Sequence, residues 1–113
     1  MIVQPYSTNS LRDASGDAVF SAAETGLWFH SPGYICSFEA IMGTTGTTTA
    51  TVEIHGSNSS STTPNAGTVL GTITLSGSGD VGSFTTSSAR YKYKCAKVTA
   101  LGADATVSVL MGD

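Results

Sequence analysis

The chain is written as an all-β protein, an antiparallel two-sheet β-sandwich with jelly-roll or related Greek-key topology, and three observations carry that reading. Apolar residues recur at every second position in several short runs, the signature of strands with one buried face. Ser, Thr and Gly supply most polar positions, while charged residues make up 12% of the 113 and hydrophobic ones 40%. No run shows the 3.6-residue spacing of an amphipathic helix, so about eight strands account for the chain. Its length suits one domain with one core.

Residues 1–16 alternate poorly, with Pro5, Ser7, Asn9, Ser10 and Ser15 among the apolar residues Ile2, Val3, Tyr6 and Leu11. They are expected to form an extended arm whose apolar anchors dock on a neighbour, beside a sandwich domain over 17–113. An edge strand or frayed end of that domain is the other reading. An apolar run over 17–22 and a turn at Glu24-Thr25-Gly26 lead to Leu27-Trp28-Phe29-His30, which Ser31-Pro32-Gly33 breaks off. From 34 to 42, Tyr34, Cys36, Phe38, Ala40 and Met42 share one face, with Ile35, Ser37, Glu39 and Ile41 on the other. The mixed second face marks a central strand whose outer side is partly covered.

Residues 43–46 turn the chain into the clearest strand pair. Ala50, Val52 and Ile54 alternate with Thr49, Thr51, Glu53 and His55; after an uncharged Ser/Thr-rich loop over 57–67, Val69, Gly71, Ile73 and Leu75 alternate with Leu70, Thr72 and Thr74. The glycine-rich stretch 76–82 leads into a short strand over 83–86. A phosphate cradle would lead into a helix N-terminus instead. Over 90–100, Tyr91, Tyr93 and Cys95 alternate with Lys92, Lys94 and Ala96, and Val98 joins the lysine face unless a bulge near Ala96 and Lys97 shifts the register. Ala105, Val107, Val109 and Met111 close the chain as the apolar face of a last strand.

Little of this pattern carries reaction chemistry. His30 and His55 lack a second ligand at metal spacing, acidic residues are scattered singly, and no GxSxG elbow is present. Glu53 and His55 share a strand face, where a surface ion pair is the expected outcome. The reading is therefore non-enzymatic, with no metal and no cofactor. A net charge of −3 gives no field for nucleic acid. No apolar run approaches the ~20 residues of a membrane span, and the start MIVQPYSTNS lacks the features of a signal peptide, so neither membrane nor export is expected. Cys36 and Cys95 are expected as reduced, buried thiols on apolar strand faces. Arg90, Lys92, Lys94 and Lys97 hold four of the five cationic residues. They suit either an acidic partner surface or an edge strand charged against aggregation. Trp28, Phe29 and Tyr34 are candidates for a sugar-stacking platform, against the alternative of core packing.

The order VEIHGSNSSS…NAGTVLGTITLSGSG…YKYKCAKVTALGADATVSVLM, roughly residues 48–111, resembles small β-sandwich virion proteins of tailed bacteriophages, especially jelly-roll decoration or cement proteins on capsid exteriors. The resemblance implies a structural protein, made in the host cytoplasm, that attaches to the major capsid protein lattice as a dimer or trimer and reinforces the shell. Candidate contacts are then Ile2, Val3, Tyr6 and Leu11 of the arm, Asn58, Thr62 and Asn65 of the loop, and Arg90, Lys92, Lys94 and Lys97. The same style occurs in phage fibre and tail domains, where a carbohydrate- or receptor-binding module would use Trp28, Phe29 and Tyr34.

Overall fold

A computed structural model gives the protein's structure for residues 8–30, 36–59, 67–86 and 91–112. Nine strands run in the order β1 (Thr8–Leu11), β2 (Val19–Phe20), β3 (Phe29–His30), β4 (Cys36–Met42), β5 (Thr49–Ser57), β6 (Thr68–Ser76), β7 (Val81–Thr86), β8 (Tyr93–Leu101) and β9 (Val107–Gly112), with no helix among the described residues. They form two antiparallel sheets. The five-stranded sheet is ordered β1-β9-β4-β7, with β2 following β1 along the same edge of β9, and the four-stranded sheet is ordered β3-β8-β5-β6. From β2 onward only β5 and β6 are consecutive strands that pair with each other; every other connection crosses between sheets. That is the jelly-roll arrangement the sequence pattern called for.

The inner faces meet as alternation dictates. Cys36, Phe38, Ala40 and Met42 of β4 and Val107, Val109 and Met111 of β9 pack against Ala50, Val52 and Ile54 of β5, Ile73 and Leu75 of β6, and Ala96 and Val98 of β8. Burying each such Val, Ile or Phe contributes roughly 1.5–3 kcal/mol before entropy is counted. Phe38 and Phe84, opposite each other in the β4–β7 ladder, bring their rings to 5.2 Å between centroids. At the open edge of the sandwich β6 and β7 approach through glycines: a side chain at Gly71 would meet the Phe84 ring, and one at Gly82 would meet Ile73. β7 begins at Val81, earlier than the sequence suggests, because Asp80 accepts bonds from the Val81 and Ser76 amides at 3.0 Å and squares off the turn.

Three differences from the sequence reading have physical causes. First, within the stretch read as an arm or an edge strand, Thr8–Leu11 takes the edge-strand form, pairing with β9 as the ninth strand, and Leu11 is completely buried in the core. The chain then loops out and returns to the same edge as β2. Asp13 holds that loop, its buried carboxylate accepting from the Ser15 and Asp17 amides at 2.9 and 2.8 Å. Residues 1–7 lie outside the described residues. Second, a bulge between Ile54 and His55 leaves Leu70 without a partner on β5, so Leu70 packs against the core while Val69 is half exposed. Third, the bulge in the β5–β8 ladder falls opposite the Thr51/Val52 step, beyond Val98. Lys94, Ala96 and Val98 therefore share the inward face, and Cys95 points outward.

Candidate functional site

The outer face of the five-stranded sheet is built from the alternate residues of its strands. Ser37, Glu39 and Ile41 of β4 lie between Thr85, Ser83 and Val81 of β7 and Gly112, Leu110 and Ser108 of β9, in three successive cross-strand rows. An open groove of about 340 Å³ runs over this face, lined by Ser37, Phe38, Glu39, Ser83, Thr85, Leu110 and Gly112. Gly112 leaves its end unblocked. Glu39 is half-buried at the centre, and its carboxylate forms no hydrogen bond or ion pair with any described residue. Beside the groove, Val19 and Val81 are 44% and 53% exposed. The face is thus apolar and hydroxyl-bearing around a single charge.

The outer face of the four-stranded sheet holds the densest cluster of titratable groups. The β5–β8 register sets Glu53 opposite Lys97 and His55 opposite Cys95. His55 Nε2 and Glu53 Oε1 are 3.0 Å apart, the geometry of an N–H donating to a carboxylate. His55 is only 3% exposed, and its Nδ1 has no hydrogen-bond partner among the described residues. A Cβ at Gly67 would lie 2.9 Å from Trp28 Cη2 and 3.3 Å from His55 Cβ, so the indole edge and the base of the His55 side chain both border the β6 entry. Cys95 is buried in the same layer, which pushes its thiol up to about 12 against a smaller opposing pull from Lys97.

An acid, an imidazole and a thiol side by side are the parts of a nucleophilic site, but the chemistry needs a thiolate in reach of a substrate. Here desolvation keeps the thiol protonated and the imidazole is buried. The cluster is suited to packing and ion pairing. Among the described residues, no group of three or more His, Cys, Asp and Glu side chains is placed to hold a metal ion. Cys36 is buried in the core and neither cysteine forms a disulfide.

The residues singled out in the sequence scatter over the fold. Leu11 and Lys94 are fully buried and offer nothing to a partner, a correction that follows from β1 pairing with β9 and from the register of β8. Asn58 is exposed, accepting from the Lys92 amide at 3.2 Å; Lys92 is exposed and Lys97 half-buried. Phe29 packs against the core and Trp28 is half-buried beside the β6 entry at Gly67, whereas the His30 and Tyr93 rings meet at a tilt of 48°, 5.3 Å between centroids. Ile2, Val3, Tyr6, Tyr34, Thr62, Asn65 and Arg90 lie outside the described residues. Glu39 was passed over because its strand reads as core; the signal was the mixed polar and apolar face of Ser37, Glu39 and Ile41. Scans against family models, curated proteins and solved structures returned no match.

Proposed function

We propose that the protein is a non-enzymatic structural component of a virion that attaches to the outside of an assembled phage capsid and stabilises it. The observation that carries this reading is the outer face of the five-stranded sheet: Val19, Ile41, Val81 and Leu110, with serine and threonine hydroxyls, surround the Glu39 carboxylate, which has no partner among the described residues. Such a face suits adhesion to a broad surface, since exposed apolar area rimmed by polar groups marks interaction sites. The jelly-roll strand order agrees with the family that the sequence resembles. Binding to the assembled lattice but not to loose subunits stabilises the lattice by mass action, and symmetry-repeated weak contacts by a dimer or trimer sum to firm attachment.

The carbohydrate-binding alternative receives less support. Phe29 packs against the core, Trp28 is half-buried beside Gly67 in the other sheet, and neither lines the groove. The test is to add the purified protein to capsids lacking accessory proteins and to measure occupancy and the temperature at which the shells release DNA. Saturable occupancy with a raised release temperature is the expected outcome. Absence of binding to shells, together with retention on a glycan array, would establish the alternative.

A further inference from the structure

We propose that the groove over β4, β7 and β9 is a receptor for one basic side chain, a lysine or arginine presented by the partner surface, with Glu39 as its counter-charge. The proposal rests on the reading of this sheet face as the adhesion surface and adds the chemistry of what it takes. Glu39 stands in the middle row of the face, between Ser83 of β7 and Leu110 of β9, half-buried and without an ion-pair or hydrogen-bond partner among the described residues. A carboxylate partly withdrawn from water gains most from a partner that supplies both charge and N–H donors. Ser37, Ser83 and Thr85 add hydroxyl acceptors for the remaining donors of an ammonium or guanidinium group, and Leu110 offers an apolar wall for its methylene stem.

Other occupants fit less well. A calcium ion needs six to eight oxygen ligands, commonly with several carboxylates, and this face carries one. A second copy docked by the same face would set Glu39 near its own counterpart, a like-charge contact that disfavours the symmetric pair. A sugar would expect an aromatic platform, yet the side chains alternating outward here are Ser37, Glu39, Ile41, Val81, Ser83, Thr85, Ser108 and Leu110.

The test is a titration of the full chain with N-acetyl-argininamide, followed by amide NMR shifts, with methyl α-glucoside as a parallel arm. Saturable shifts at Ser37, Glu39, Ser83, Thr85 and Gly112, with binding roughly tenfold weaker in Glu39→Gln, are the expected result. Equal binding by the variant, shifts mapping elsewhere, or a response to the glucoside alone would overturn the proposal. So would concentration-dependent self-association that Glu39→Gln abolishes, which would make the occupant another copy. Thermal melting of Glu39→Gln checks that the variant is folded. Shell occupancy by the same variant separates the two readings: full occupancy removes the groove but leaves the capsid role, whereas argininamide binding without any shell binding does the reverse.

Discussion

His55 and Cys95 face each other across the β5–β8 ladder on the outer side of their sheet, and both are buried. Burial pushes the Cys95 thiol up to about 12. At pH 8 only about one molecule in ten thousand then carries the thiolate, so native protein should leave Cys95 unlabelled by iodoacetamide while unfolded protein reacts at once. The same shift predicts a pH dependence of stability. The folded thiol holds its proton to higher pH than the ordinary value of 9.0, so its contribution is intact below pH 9 and is lost as the pH rises from 9 towards 12. Subtracting the stability profile of Cys95→Ala from that of the parent should isolate this fall; parallel profiles would show that the thiol is solvated.

Trp28 is the protein's one tryptophan, so its fluorescence reports on the β6 entry at Gly67, which the indole and the base of His55 both border. Trp28→Ala should lower stability by about 2 kcal/mol as a half-buried aromatic is lost, read from urea midpoints. His55→Ala in turn should shift Trp28 emission to the red as water enters beside the indole. An unchanged spectrum would mean that the ring is supported from elsewhere.

Asp13 is 5% exposed, and its Oδ1 gathers the Ser15 and Asp17 amides. Removing the acceptor strands two donors, so Asp13→Ala should cost about 1–3 kcal/mol. Asp13→Asn keeps a carbonyl oxygen in place and should cost less. Urea midpoints in the order parent, Asn variant, Ala variant would verify the role, and equal midpoints would refute it.

These sites differ in how far the sequence disclosed them. β4, β5 and β9 were legible because strict alternation in Phe38-Ala40-Met42, Ala50-Val52-Ile54 and Val107-Val109-Met111 is a local property, and the structure buries all nine side chains. His55 was misread as a surface residue, since alternation assigns a face but not what packs over it, and the structure leaves this residue only 3% exposed. Cys95 and Lys94 exchanged faces because the bulge fell beyond Val98 rather than near Ala96. β1 stood only as an alternative to an arm because an edge strand paired on one side needs little apolar content, and among the described side chains of β1 Leu11 alone joins the core. The groove is the least legible feature, since its members come from three strands whose neighbourhood only the jelly-roll order creates.

Gly26 shows how tightly the two sheets are joined where the chain leaves β2. Its amide donates to the Ala96 carbonyl of β8 at 2.8 Å, while the next amide, of Leu27, donates to the Arg12 carbonyl behind β1 at 3.1 Å. A Cβ at Gly26 would strike the Arg12 carbonyl oxygen and press on Ala96 O and the Phe20 ring, both at 3.0 Å. Two of these obstacles are backbone atoms held in bonds of their own, so neither can yield without breaking one. Gly26→Ala should therefore cost about 3 kcal/mol or more and loosen both sheets together. Gly71→Ala tests the contrast, because the obstacle there is the Phe84 ring, a half-buried side chain that can turn aside. Its cost should stay nearer 1–2 kcal/mol and fall on β6 and β7 alone. Hydrogen exchange separates the two outcomes: faster exchange in β8 and β9 for Gly26→Ala only is expected, and a uniform change in both variants would mean that the Gly26–Leu27 segment is not a seam between the sheets.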